Sequence, residues 1–285
     1  MSSSSRAKSL TNGPVEFLRR PRLNKTALIV SWTVDTAGLS ESVTSYLNRK
    51  LSAQPFCRID PGEFYQLEGV NIRDAVVQFP EATFYVGPKK NVVVFRSAPP
   101  RFDWYRFLNL ALDVASDYCH VSELYAIGGM VSLVPHAAPR ELLGNFSTPE
   151  MRESMSSQNM SVNWNYETPA GQRPTLNSFL LWAAKNRGIP AATLWVPVPF
   201  YLAASGDPMA QLRVLEFFNR KFDLCLSFDD LDEEVRRQNR AITRARKESP
   251  EIDGYISKIE RGETLSDEDS QKLVSLIEKE LISRR

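Results

Sequence analysis

The sequence predicts an α/β fold with a mixed sheet, followed by a helical C-terminal region. The continuously apolar segment 27–32 is typical of a strand that is covered on both faces. An amphipathic helix over 37–51 and a strand over 56–60 follow, and this order indicates a parallel unit. Segments 83–86 and 92–95 flank a Gly-Pro turn and predict an antiparallel hairpin, so the sheet is mixed.

The rest of the first 228 residues alternates between strand and helix patterns. The predicted elements are strands over 76–79, 123–127 and 191–196, and helices over 103–119, 174–187 and 208–222. Gly128 and Gly129 are expected to end the strand over 123–127, because glycine weakens strand interiors. Thr148 followed by Pro149 predicts the start of a short helix.

Composition divides the chain into three regions. Residues 1–25 are rich in serine and then basic, which predicts a disordered tail or, alternatively, an arm that touches an acidic partner. Residues 26–228 form the predicted α/β core. Residues 229–285 contain three helical stripes, and apolar stripes need a partner surface. That surface is either the protein's own core or an oligomer or partner interface.

Charge and hydropathy limit the class of protein. The chain has 285 residues and a formal net charge of +1, so no overall field attracts nucleic acid or membranes. The longest apolar run, 189–204, contains three prolines and is too short to span a bilayer. The N-terminal residues lack the apolar segment of a secretory signal. We therefore expect a cytoplasmic protein that neither enters membranes nor binds nucleic acid.

No complete catalytic or cofactor-binding motif occurs. The glycine-rich nucleotide loops, H-E-x-x-H and G-x-S-x-G are all missing from the sequence. The three cysteines are widely spaced, so neither a disulfide framework nor a zinc site is expected, and each is predicted to be buried. The only histidines are His120 and His136, and His120 at a helix end is assigned a structural role. The sequence predicts no cofactor and no metal.

One loop nevertheless has the residue types of a ligand site. Gly128 and Gly129 permit close approach of a ligand to the backbone, and His136 and Arg140 offer donors to an anion. Ligand sites of open α/β sheets gather beyond the carboxyl ends of strands. The alternative is a proline-shaped loop whose polar groups bond to one another.

Two further segments extend this candidate pocket. Glu167 lies in a Tyr-Glu-Thr-Pro-Ala-Gly loop that ends at Gly171, and its carboxylate is a candidate acid, base or polar anchor. Trp195 and Tyr201 lie at the exit of a buried strand, where aromatic rings line pockets or pack in cores.

Four segments, in this order, resemble the proteasome assembly chaperone two family, and most closely its bacterial branch. They begin LIVSWTVDTAGL, LYAIGGMVSLVPH, YETPAGQRPTLN and LSFDDLDEEVRR, and the resemblance covers about residues 26–240. Asp35 and Gly38 of the first segment match the family pattern and join the candidate pocket. Ser31 replaces a usual glycine, and the order of Pro139 and Arg140 differs from the common one.

The resemblance implies a three-layer α/β/α fold similar to purine nucleoside phosphorylases, and homo-oligomers that are often trimers. It implies no catalytic residues. The tyrosine-containing tail with which some archaeal members dock into proteasomes is missing here, where the sequence ends Leu-Ile-Ser-Arg-Arg. Two hypotheses follow. The first is a non-enzymatic assembly chaperone or scaffold with a protein partner. The alternative is a protein or enzyme that binds a nucleoside, phosphate or acidic metabolite through the loops around His136 and Glu167.

Overall fold

A nine-stranded mixed sheet forms the centre of the protein, and helices cover both of its faces. The computed structural model describes residues 11–60, 62–65, 71–73, 75–89 and 91–282. The strands are β1 (Thr11–Asn12), β2 (Val15–Phe17), β3 (Thr26–Trp32), β4 (Gln54–Ile59), β5 (Asn71–Arg73), β6 (Val76–Gln78), β7 (Ala82–Val86), β8 (Val92–Ser97), β9 (Val121–Ser132), β10 (Leu143–Phe146) and β11 (Ala191–Pro199). The helices are α1 (Leu39–Lys50), α2 (Trp104–Asp113), α3 (Pro149–Met155), α4 (Leu176–Asn186), α5 (Pro208–Phe222), α6 (Asp229–Glu248), α7 (Pro250–Glu260) and α8 (Asp267–Ile282).

The strand order is β1-β2-β4-β7-β8-β3-β9-β11-β10, and the pairs from β8 to β11 are parallel. Every residue of β3 is buried, as its unbroken apolar pattern predicted. Helices α2 and α4 pack on one face, whereas α1, α5 and the C-terminal helices pack on the other. The predicted three-layer α/β/α fold with a mixed sheet is confirmed.

Strands β3 and β4 are parallel, as the sequence pattern indicated, but they are not neighbours in the sheet. Strand β4 runs in the same direction as β3, but β7 and β8 lie between them in the sheet. The two inserted strands are the predicted hairpin, which pairs antiparallel. A sequence pattern gives strand direction through the crossover, but it does not say which strands fill the gap.

Strand β9 continues through Gly128 and Gly129 to Ser132 instead of ending at the two glycines. Both residues are paired with β11, opposite Trp195 and Val196. Glycine is used here because neighbouring groups approach the strand closely, and not because the strand stops.

Part of the predicted disordered tail, residues 1–25, is ordered on the sheet. Residues 1–10 lie outside the described part of the chain, whereas β2 pairs antiparallel with β4. Arg19 donates to the carbonyl oxygen of Pro55 at 2.8 Å, and the Arg20 guanidinium lies 4.6 Å from the centre of the Phe17 ring. These basic residues pack on their own sheet because an edge strand offers unpaired backbone groups to any nearby segment.

The C-terminal helices pack on the α/β core. Leu231, Ile242, Ile256, Leu273 and Ile277 are almost fully buried in the same apolar cluster as the α1–α5 face of the sheet. Burying a leucine or isoleucine side chain stabilises a fold by about 1.5–3 kcal/mol, so these helices contribute to the core. The apolar stripes of α6, α7 and α8 are therefore covered by the chain itself. None of the helices in the described ranges has the length and apolarity needed to cross a membrane.

The helix starts follow the capping pattern of the sequence. Thr148, Asp207 and Ser249 each accept a backbone N–H of the first turn, and each is followed by proline. Proline suits this position because its missing N–H would have no partner in the helix.

Two of the three cysteines are buried as expected, and Cys225 is exposed. Burial raises the pKa of the Cys57 and Cys119 thiols to about 12. Cys225 lies in the turn after α5 with a φ of 56°, and this turn sits at the surface.

Candidate functional site

The loops that follow β3, β9 and β11 meet at the carboxyl edge of the sheet. Thr36 rests on Gly129, where an added Cβ would lie 2.6 Å from the Thr36 carbonyl oxygen. The Ala37 backbone N–H donates to the Ala203 carbonyl oxygen at 2.9 Å. The polar groups of these three loops could face either a ligand or one another, and the contacts of Asp35, His136 and Arg140 distinguish the two.

Asp35 is the least satisfied group in this region. Its Oδ2 accepts the Ser40 backbone N–H at 3.0 Å, whereas Oδ1 is buried without a hydrogen bond of normal geometry. Burial raises the pKa of Asp35 to about 6, although the backbone N–H groups of Ser40 and Gly129 act in the lowering direction. The carboxylate holds the turn before α1, at an electrostatic cost.

His136 is buried and bonded to Tyr201. Its backbone N–H donates to the Tyr201 hydroxyl at 2.7 Å, and Nδ1 lies 3.0 Å from the same oxygen. Since the hydroxyl oxygen already accepts the backbone N–H, its own proton is available to Nδ1. Burial, followed by the positive charge of Arg246, lowers the pKa of His136 to about 4. The ring is neutral at pH 7 and offers no positive charge to an anion.

Arg140 is directed into the protein. Its Nε donates to Asp207 at 2.7 Å, Nη1 donates to the carbonyl oxygens of Pro135 and Ala138, and Nη2 donates to that of His136. One bond from Nε, two from Nη1 and one from Nη2 use four of the five N–H groups. Asp207 also caps α5. Arg140 therefore fixes the loop after β9 to the start of α5.

Trp195 covers Gly128 on the neighbouring strand. An added Cβ at Gly128 would lie 2.4 Å from the indole ring, so the pair needs glycine for this contact. The Trp195 Nε1 is buried without a partner in the described part of the chain.

Glu167 and Gly171 lie in an exposed loop at the β10 edge of the sheet, away from the His136 loop. Gly171 has a φ of 81°, which favours glycine, and no atom of another residue would touch its Cβ. Glu167 lines an open cleft of about 770 Å³ between β10, α3 and the 162–168 loop.

Gly38 lines a different cleft, of about 420 Å³, between the carboxyl-edge loops and α6. Its polar walls include Gln211, Glu234, Arg237 and Gln238. These residues were not among the predicted site residues, because Gln211 lies in α5 and the other three lie in α6, outside the loops from which the pocket was inferred.

The ten predicted residues therefore do not form one pocket. His136, Arg140 and Tyr201 are bonded within the protein, Asp35 holds the turn before α1, and Gly128, Gly129 and Trp195 pack within the strands. Gly38 and Glu167 line separate clefts, and Gly171 lies in an exposed turn.

An exposed aromatic surface on α2 and α4 was not predicted. Phe179 and Trp182 stack with ring centres 5.2 Å apart, and Tyr105 lies 6.2 Å from Trp182. Trp182 is 46% exposed and Tyr105 is 59% exposed. We name Tyr105, Phe179 and Trp182 the aromatic surface. Tyr105 and Trp182 lie outside the apolar stripes from which α2 and α4 were predicted. Aromatic residues on the polar side of a predicted helix were the sequence feature that could have indicated this surface.

No metal site emerges from the described residues, where no group of three or more His, Cys, Asp or Glu side chains could hold an ion.

Comparisons with known proteins agree with this architecture. The model of the PAC2 family matches residues 33–246. No curated protein matches the chain. A Corynebacterium glutamicum protein of unknown function has a similar structure, with a TM-score of 0.70 at 18% identity over 96% of this chain and 100% of the other.

Two further solved structures have names that describe a role. A proteasome-assembly chaperone homologue from Mycobacterium tuberculosis has a TM-score of 0.64 at 21% identity, over 77% of this chain and 94% of the other. PbaB, an archaeal proteasome activator from Pyrococcus furiosus, has a TM-score of 0.67 at 18% identity, over 81% and 97%. The family model spans most of the α/β core and extends into α6. The chain therefore belongs to the PAC2 family.

Proposed function

We propose that this protein acts without catalysis, as a homo-oligomeric scaffold or assembly chaperone for a protein partner. The aromatic surface carries the proposal. Tryptophan and tyrosine are enriched at protein interfaces, where they supply much of the binding free energy. Here a tryptophan and a tyrosine are held in contact on two packed helices and remain open to solvent.

The alternative, a nucleoside or phosphate site around His136, has less support. The imidazole is neutral and bonded to Tyr201, and the Arg140 guanidinium is occupied by Asp207 and three carbonyl oxygens. An anion would have to displace these bonds, and unmaking buried hydrogen bonds is costly.

The family gives the proposal its direction. One structural relative is named a proteasome-assembly chaperone homologue and another a proteasome activator. Both names describe work on a large protein assembly and neither names a chemical reaction. We extend to this chain the general role of binding and organising other proteins, with itself as the first partner.

Light scattering of the purified protein over a concentration series tests the homo-oligomer. The wild type is expected to exceed the mass of one 32.3 kDa chain. Trp182→Glu combined with Tyr105→Glu is expected to lower that mass, because two charges would enter the interface. Lys247→Glu, an exposed change on α6 at the opposite face of the sheet, is the control and should leave the mass unaltered.

A wild type that stays monomeric at all concentrations would contradict the homo-oligomer. A double variant with wild-type mass and circular dichroism would show that the aromatic surface is not the interface.

A further inference from the structure

Strand β10 forms one edge of the sheet, and the chain itself already uses part of its outer side. The Gly144 backbone N–H donates to the Ser161 carbonyl oxygen at 2.9 Å, and the Ser161 N–H donates to that of Leu142 at 2.8 Å. The Trp164 Nε1 then donates to the Gly144 carbonyl oxygen at 3.0 Å. The outward groups of the first half of β10 are therefore occupied.

The outward groups of Phe146 remain. Ser147 donates its N–H inward, to the Ala191 carbonyl oxygen at 2.8 Å, and backbone groups alternate in direction along a strand. Gly144 and Phe146 thus point to the same, outer side. Within the described ranges no backbone hydrogen bond is made there by Phe146.

The open cleft lies in front of Phe146, because the loop after Ser161 diverges from the strand. The Trp164 side chain closes one end, and the Tyr166 ring is 68% exposed along the wall. Arg152 and Glu167 line the cleft as a cation and an anion, and among the described residues neither has an ion-pair partner. The walls thus present a backbone pair, two aromatic rings and one charge of each sign.

We propose that this cleft binds an extended peptide segment of the partner protein as an added strand beside β10. One peptide residue opposite Phe146 exchanges both backbone hydrogen bonds with it, as in an antiparallel pair. An acidic side chain of the segment meets Arg152, a basic one meets Glu167, and an apolar one packs on Tyr166 or Trp164. A compact metabolite would leave the edge N–H and C=O of Phe146 unpaired. This inference rests on the proposed function, since it takes the partner to be a protein.

A library of fluorescein-labelled hexapeptides tests the cleft on the full-length protein. Each peptide has a central valine flanked by one aspartate and one lysine at varied positions, and fluorescence anisotropy measures its affinity. For the tightest peptide, Arg152→Glu is expected to weaken binding roughly 3- to 10-fold, and a lysine in place of the peptide aspartate should restore it. Methylation of the valine nitrogen should weaken binding at least about 5-fold, because one backbone bond is lost.

Lys247→Glu is the matched control, since it makes the same charge change at an exposed position on α6, outside the cleft. Equal weakening by Lys247→Glu and Arg152→Glu, with no effect of N-methylation, would overturn the proposal in favour of general charge attraction. A library in which no peptide binds, while a nucleotide such as AMP does, would overturn it in favour of a metabolite site.

The homo-oligomer and the peptide-binding cleft can be refuted independently. Arg152→Glu is expected to keep the oligomeric mass of the wild type, because Arg152 lies outside the aromatic surface. A monomeric wild type that still binds the peptide would refute the homo-oligomer and keep the cleft. An oligomer that binds no peptide would refute only the cleft.

Discussion

The two perturbed groups at the carboxyl edge make opposite contributions to the pH dependence of stability. The pKa of His136 is lowered from 6.5 to about 4, and that of Asp35 is raised from 3.8 to about 6, in both cases chiefly by burial. Between these values each group differs by about one proton between the folded and unfolded chain. One proton corresponds to about 1.4 kcal/mol in the free energy of unfolding per pH unit.

For His136, the unfolded chain binds the extra proton. Below pH 6.5 the unfolded imidazole is charged, whereas the folded one stays neutral until about pH 4. Folding is therefore destabilised as the pH falls through this window, by about 3 kcal/mol in total.

For Asp35, the folded chain binds the extra proton. Above pH 3.8 the unfolded carboxyl is ionised, whereas the folded one keeps its proton until about pH 6. Folding is therefore destabilised as the pH rises through this window, again by about 3 kcal/mol. From pH 4 to 6 the two contributions cancel in the wild type.

Single substitutions should separate them. Relative to wild type, Asp35→Asn is expected to gain stability as the pH rises from 4 to 6, by about 1.4 kcal/mol per unit, and His136→Asn to lose it at a similar rate. Urea unfolding followed by the fluorescence of the five tryptophans, at half-unit pH steps, measures both slopes. Differences from wild type remove the background of the other carboxylates. The double variant should return to a nearly flat difference, and two flat single-variant differences would refute the reasoning.

Three further changes test the packing, each by denaturant unfolding. Gly129→Ala should cost about 1–3 kcal/mol through its contact with Thr36, whereas Gly254→Ala, in open space within α7, should gain about 0.5–1 kcal/mol; equal effects would contradict the close approach. Arg140→Met should cost about 3–5 kcal/mol by leaving the Asp207 carboxylate buried without its partner, and adding Asp207→Asn should recover part of this; no recovery would mean that the charge is not the cause. Leu273→Ala should cost about 2–5 kcal/mol, and a negligible loss would indicate that α8 is not part of the core.

Periodicity predicted the class of nearly every long element because it records which side of an element is buried. It did not predict that β7 and β8 separate β3 from β4, since strand order depends on which hydrophobic faces find each other after local structure has formed. Nor did it place α6 to α8, because an apolar stripe fits the chain's own core as well as a neighbour.

The candidate site shows the same division at the level of single residues. The loops after β3, β9 and β11 meet at one edge of the sheet, whereas the Glu167 loop, which the sequence analysis joined to the same pocket, lines a cleft at β10. The sequence left open whether the polar groups of these loops face a ligand or one another. His136 bonds Tyr201 across 65 positions, and Arg140 bonds Asp207 across 67. Such pairing depends on the folded path of the chain, and spacing along one sequence does not encode it.

The sequence by itself determined the local structure of this protein, that is, which segments form strands and where helices begin. Apolar runs made the central strands, and a cap followed by proline began α3, α5 and α7. Only the tertiary structure decided what those elements do. The apolar stripes of the C-terminal helices are buried against the core, and Arg140 pairs with Asp207. Tyr105 and Trp182 remain exposed. Side-chain chemistry is local, whereas desolvation and partner choice depend on everything packed around a group.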